Sequence, residues 1–267
     1  MRITAWRAHA PWPSDAQVEQ DLVLSRALTE MFSRRLVAAS FAFRGGTALH
    51  KFHCDPPGRY SEDIDLVQIE AGPIGPALDD LRAALDPWLG EPSSRRGSDS
   101  VKLVYRFETT ALPVQPMRLK VEINTREHFS CRGLREHELT VETLWFTGDA
   151  KVTTYTLEEL LGTKLRALYQ RKKGRDLYDL CRALTDLDVD DGAVVACFQA
   201  YMTRGSTAVT RAMFEANLAE KLASPAFGRD VVPLLRTGEA YDVDQAGALV
   251  LERLVARLPG EPWRGRI

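Results

Sequence analysis

Apolar positions along the chain change period twice, and the changes mark its organisation. From residue 15 to 39, Val18, Leu22, Ala27, Leu28 and Met31 recur at roughly helical spacing. Ser14 and Gln17 stand just ahead of them as a capping box. Phe41-Ala42-Phe43 then reads as a short strand running into Gly45-Gly46, with a helix predicted from Thr47 to His53. Asp63 to Ile69 alternates acid with aliphatic, the mark of a strand with two unlike faces. Pro73 or Pro76 opens a helix carrying Leu78, Leu81, Leu85 and Trp88, and a Ser/Arg/Gly-rich loop covers 91–99. Strands are predicted at 101–107 and 117–124, with fainter ones at 139–146 and 152–155.

Past residue 155 the pattern is helical almost throughout. Thr156 and Glu159 suggest a second capping box, and helices are predicted at 157–171, 174–187, 192–203, 207–223 and 243–258. The expectation is an α+β (α/β) chain of two domains: residues 1–155 built on a mixed sheet, and residues 156–267 a helical domain completing the active-site cleft.

Charge narrows the classes. Thirty-five Lys and Arg against 37 Asp and Glu leave a net −2, so nucleic acid can be held only by a local patch. Four scattered cysteines with no Cys-x-x-Cys pair suit reduced thiols rather than a disulfide framework or zinc ribbon. Residues 1–7 lack the apolar core of a signal peptide, and uncharged runs such as 192–203 fall short of a bilayer span. A cytoplasmic protein with no membrane partner is expected.

The candidate chemistry centres on Asp63-Ile64-Asp65-Leu66. On a strand the two carboxylates share one face, about 7 Å apart at the backbone, placed to hold Mg²⁺. On the 117–124 strand, Leu119, Val121 and Ile123 point one way while Lys120, Glu122 and Asn124 point the other. Glu122 can therefore serve as a third metal-binding acid. Such a set suits two Mg²⁺ ions activating a hydroxyl and stabilising a leaving pyrophosphate. Gly45-Gly46-Thr47, between a strand and a helix, lets backbone amides approach an anion. It is not a P-loop, because no Gly-Lys-Ser/Thr follows. His50, His53 and Cys54 offer only three zinc ligands, with no fourth nearby.

Phe43-Arg44-Gly45-Gly46-Thr47-Ala48-Leu49 and Arg59-Tyr60-Ser61-Glu62-Asp63-Ile64-Asp65-Leu66 together resemble the DNA polymerase β-type nucleotidyltransferase signature. They are most similar to its AbiEii/AbiGii toxin branch, which includes the MenT-type toxins. Lys164-Leu165-Arg166-Ala167-Leu168, Arg171 and Arg175-Asp176-Leu177-Tyr178-Asp179 resemble that branch's later motifs. The resemblance implies that Lys164 contacts nucleotide phosphates and that Asp176 is a functional acid.

Lys164 also falls within the Leu157–Leu161–Leu168 stripe of its helix, a costly place for a charge unless it meets an anion. Between residues 164 and 182 seven bases face two acids, and Arg171, Lys172, Lys173 and Arg175 are the candidate RNA contacts. Arg59 and Ser61, beside the acids, join Gly45, Gly46, Thr47 and Lys164 as candidate nucleotide contacts, with Asp63, Asp65, Lys164 and Asp176 as the catalytic set.

The combined expectation is a Mg²⁺-dependent enzyme transferring NMP from an NTP to RNA. From the resemblance, it is a toxin modifying the tRNA 3′ end and paired with a cognate antitoxin protein. Transfer to a small molecule or a protein, and a non-catalytic nucleotide- or RNA-binding role, are the rival readings.

Overall fold

The computed structural model describes residues 3–110 and 112–265, so Met1 and Arg2 of the N-terminal stretch lie outside it. The chain divides into two compact units, Met1–Tyr155 and Thr156–Ile267.

The first unit is built on one seven-stranded mixed sheet, in the order β3-β4-β5-β2-β1-β7-β6. Its strands are β1 (Phe41–Arg44), β2 (Asp63–Gln68), β3 (Ser93–Arg96), β4 (Ser100–Glu108), β5 (Pro116–Asn124), β6 (Leu134–Glu142) and β7 (Thr147–Tyr155). β2 pairs antiparallel with β1 and parallel with β5, which puts both signature strands at the centre. Helices α1 (Asp15–Phe32), α2 (Arg35–Ser40), α3 (Gly45–His53) and α4 (Gly75–Leu89) complete the unit. Ile64, Leu66, Leu103, Tyr105, Leu119, Val121 and Ile123 are buried, whereas the alternate positions of β4 and β5 are at least partly exposed.

The Ser14–Gln17 capping box forms, each backbone amide bonded to the other's side chain at 3.2 Å. The single helix expected over 15–39 is instead two. Ser33 turns its hydroxyl back onto the Glu30 carbonyl (2.8 Å), and Arg34 adopts extended backbone before α2 begins. α1 is buried well beyond an apolar stripe, and its polar groups are therefore paired. Asp21 accepts from the Trp6 indole (2.9 Å) and from the Lys51 ammonium (3.0 Å), while Glu19 accepts from the Thr110 backbone (2.8 Å).

The loop expected at 91–99 contains a strand. β3 pairs with Val101–Val104 at the sheet edge, and its four residues are all exposed, so no alternation betrays it in the sequence. β6 begins at Leu134 and ends at Glu142, so residues 143–146 of the strand expected at 139–146 form the turn into β7, which starts at Thr147 rather than 152.

The second unit comprises α5 (Leu157–Gln170), α6 (Gly174–Asp186), α7 (Asp191–Arg204), α8 (Arg211–Leu222), α9 (Pro225–Arg229) and α10 (Val243–Arg253). Thr156 caps α5 through the Glu159 amide (3.3 Å), while the Glu159 carboxylate accepts from Tyr201 (2.8 Å) on α7. α8 begins at its Thr210 cap rather than at 207, and α10 ends at Arg253, followed by a separate 3-10 turn. The short α9 opens on Pro225 and carries no helical period in the sequence. Among the described residues no helix is long and apolar enough to cross a membrane.

Candidate active site

β1 ends at Arg44 and α3 starts directly on Gly45, so both glycines lie in the first turn of the helix rather than in a turn ahead of it. Gly45 has φ +86°, a left-handed conformation that favours glycine. It has a second reason to lack a side chain: a Cβ there would lie 2.5 Å from Oδ2 of Asp65. The glycine corner and the Asp65 carboxylate are thus in direct contact. Thr47, two residues on, donates from its hydroxyl to the Asp63 carbonyl (2.6 Å) and lies 2.8 Å from the Ser61 hydroxyl. One helical turn therefore touches both ends of the Ser61-Glu62-Asp63-Ile64-Asp65 segment.

Asp63 and Asp65 lie on the exposed side of β2, with Ile64 and Leu66 buried behind them. Across the parallel ladder Asp63 stands opposite Lys120, and Asp65 opposite Glu122. The expected third acid is therefore the direct cross-strand neighbour of the second. Sequence reasoning assigned no role to Lys120, although its alternation with Glu122 already placed it on this face. Its ammonium lies 2.8 Å from Asp63 and 3.4 Å from Glu122, and Lys102 on β4 meets Glu122 at 2.9 Å. Burial works against the Lys120 charge, but the bond to Asp63 and the charges of Asp63, Asp65 and Glu122 prevail and raise its pKa. Burial likewise works against the Glu122 carboxylate, and the two lysines prevail, lowering its pKa.

The donor set fits Mg²⁺ in kind, being carboxylate oxygen throughout. In the arrangement present, no group of three His, Cys, Asp or Glu among the described residues could hold a metal. The Lys120 ammonium stands between Asp63 and Glu122 and supplies the positive charge there.

Thr47, Arg59 and Ser61 line one cavity of about 290 Å³ together with His50 and Lys51. Arg59 is buried and donates to the Tyr60 carbonyl (3.0 Å). Arg44, directly opposite Asp65 on β1, pairs with Glu127 at 2.6 Å. His53 packs edge-on to His137, and burial with that neighbour lowers its pKa to about 4.

In the helical unit, Lys164 is buried and meets Asp176 at 3.2 Å and Asp179 at 2.8 Å. Arg171 closes on Asp176 through two nitrogens, at 2.7 and 2.8 Å. Burial pushes the Asp176 carboxyl up, but the Lys164 charge and the Arg171 hydrogen bond outweigh it and leave the pKa lowered. The basic run is thus largely compensated: Lys173 lies 3.6 Å from Asp230, and Arg182 bonds Asp186 and Glu239. Lys172 is exposed, with no ion pair among the described residues.

The sequence model of the nucleotidyl transferase AbiEii toxin of type IV toxin–antitoxin systems matches residues 26–248. The chain belongs to this family. It is accordingly a nucleotidyltransferase, and an antitoxin partner follows from the type of system.

Among solved structures, the family fold recurs in MenT4, a nucleotidyltransferase toxin of Mycobacterium tuberculosis H37Rv. The TM-score is 0.68 at 19% identity, covering 97% of this chain and 91% of that one. A nucleotidyltransferase-like protein of Helicobacter pylori superposes with TM-score 0.60 at 16% identity, covering 91% and 95% of the two chains. Helicobacter pylori JHP933 follows with TM-score 0.53 at 15% identity, covering 91% and 92%. No curated protein sequence matches the chain.

Proposed function

We propose that this AbiEii-family enzyme uses Mg²⁺ to transfer NMP from an NTP to RNA, with the tRNA 3′ end as acceptor, and so blocks translation and growth. The observation that carries the reaction class is the Gly45–Asp65 contact, which fixes a carboxylate against the first turn of α3. Backbone amides at such a helix start favour phosphate, and a carboxylate beside them favours the cation that accompanies it. The acceptor follows from the kinship with MenT-type toxins and from the basic positions of the chain.

In this reading Asp63 and Asp65 hold Mg²⁺, with Glu122 as the third acid. The bound ion supplies positive charge against the triphosphate and the hydroxyl that attacks it. The α3 start, Thr47, Arg59 and Ser61 orient the triphosphate. The acceptor hydroxyl attacks the α-phosphorus, a new P–O bond forms, and the bond to pyrophosphate breaks. The hydroxyl proton leaves to a carboxylate of the Asp63–Asp65–Glu122 face. Lys120, released from Asp63, remains cationic and close to the developing negative charge. Lys164 and Asp176 are the candidate functional pair of the helical unit, Lys164 as a phosphate contact and Asp176 as the acid that holds it. Arg171, Lys172, Lys173 and Arg175 contribute contacts to the RNA backbone.

Incubation with each α-labelled NTP, Mg²⁺ and a tRNA pool tests this directly. Label at RNA 3′ ends is the expected result. Label on protein or small-molecule acceptors with none on RNA refutes the acceptor, and no transfer to any acceptor refutes the reaction.

A further inference from the structure

The outward face of the sheet's open half carries a charge pattern that the proposed chemistry does not use. Positions sharing the face of Asp63 and Asp65 follow from the ladders: Lys120 and Arg118 on β5, Lys102 and Arg106 on β4, and Arg95 on β3. Arg106 stands directly opposite Arg118, and Arg95 directly opposite Lys102. Like charges facing each other across a ladder destabilise the sheet.

Lys102 is relieved by Glu122 at 2.9 Å, but Arg95, Arg106 and Arg118 are exposed and meet no carboxylate among the described residues. Among the described residues the Arg106 guanidinium donates only to the Ser93 hydroxyl, at 3.0 Å. Glu108 is the one acid of β4 on this face, at the strand's far end. In the helical unit Lys164, Arg171, Lys173 and Arg182 have acids, and among the described residues Lys172 alone of the run 171–173 has none. At the end of the uncompensated pair lies a cavity of about 590 Å³, lined by Arg106 and Arg118, by Phe107 and Met117 from the alternate positions of the same strands, and by Glu62 and Glu108.

We infer that this face, from Arg118 across Arg106 and Lys102 to Arg95, is the binding track for the phosphate backbone of a single-stranded RNA end. The inference rests on RNA being the acceptor and adds where it is held. From Arg118 to Arg95 the track crosses two strand spacings, about 10 Å, and runs four residues along β4, about 13 Å. It begins at the carboxylates and leads away from them, so an acceptor lying on it brings its terminus to Asp63. A polyanion supplies the counter-charge that the facing arginines lack. The exposed guanidinium planes suit base stacking without requiring a particular sequence.

The test uses the full chain carrying R95Q/R106Q/R118Q, with R106Q/R118Q as a milder second variant, each checked by circular dichroism melting. Affinity for an unmodified tRNA transcript and for a single-stranded oligonucleotide is read by fluorescence anisotropy across a salt series. RNA affinity should fall at least tenfold in the triple variant. The slope of log affinity against log salt should flatten by about 2, at roughly 0.7 per lost single-strand phosphate contact. KM for NTP should remain at the wild-type value.

Unchanged RNA affinity and slope in both variants, while the wild type labels RNA, overturns the inference and leaves the proposed reaction standing. A loss confined to K172Q/R175Q overturns it equally, since the track would then lie on the helical unit. If the wild type labels no RNA at all, the proposed acceptor fails and the track fails with it.

Discussion

At the scale of single residues, Gly45 and the carboxylates it touches set the clearest expectations. Gly45→Ala places a methyl group against Asp65 and forces an L-residue to φ +86°. It should lower kcat for nucleotide transfer by about 100-fold or more. The fold should lose only about 1–2 kcal/mol, the ordinary cost of left-handed backbone for a residue with a Cβ. Steady-state transfer from an α-labelled NTP and a thermal melt measure the two effects separately. Asp63→Asn and Asp65→Asn each remove a proposed metal ligand and should reduce transfer at least about 100-fold, while chelation by EDTA should stop the wild type and added Mg²⁺ restore it.

His53 gives a stability prediction with a definite sign. Its folded pKa of about 4 lies below the unfolded value near 6.5, so between those values the unfolded chain binds the extra proton. The contribution is complete above about pH 6.5 and is lost as pH falls toward 4. Melting temperature should fall over that window, and His53→Phe should flatten the slope.

At the scale of elements, the two central strands were legible because burial writes itself into alternation, whereas the helix expected from Thr47 begins two residues earlier, on Gly45. Ile64 and Leu66 face inward while Asp63 and Asp65 do not, and the same holds for Val121 and Ile123 against Lys120 and Glu122. β3 was illegible because an exposed edge strand has no inner face to mark it. The Ser33–Arg34 break was illegible because α1 is buried on nearly every side, so apolar period continues across a change of direction. Lys120 was seen on the right face but given no task, since a list of alternating residues does not say that an ammonium will settle between two acids. The α5–α6 ion network shows the same limit. Sequence placed Lys164 on a buried stripe, but only the packing shows Asp176 and Asp179 answering it. Lys164→Ala removes the ammonium shared by Asp176 and Asp179, though Asp176 keeps Arg171, and should destabilise the chain by up to about 3 kcal/mol, measured by denaturant unfolding. Because Asp176 has a lowered pKa, the stability it confers is present above the unfolded carboxylate value near 4 and lost as pH falls below it.

At the scale of the whole molecule, family membership and reaction class follow from the match over residues 26–248, and the fold recurs at low identity in solved nucleotidyltransferase structures. Expression without its antitoxin should arrest growth, and Asp65→Asn should abolish the arrest at equal protein level, as followed by optical density and immunoblot. The Gly45–Asp65 contact has a consequence for cells that carry this gene. Every missense change at that codon introduces at least a methyl group against the Asp65 carboxylate, where the chain has no space. Among survivors recovered after forced expression, disarmed alleles should therefore accumulate at codon 45 as readily as at the aspartates, in clones that still make full-length, folded protein.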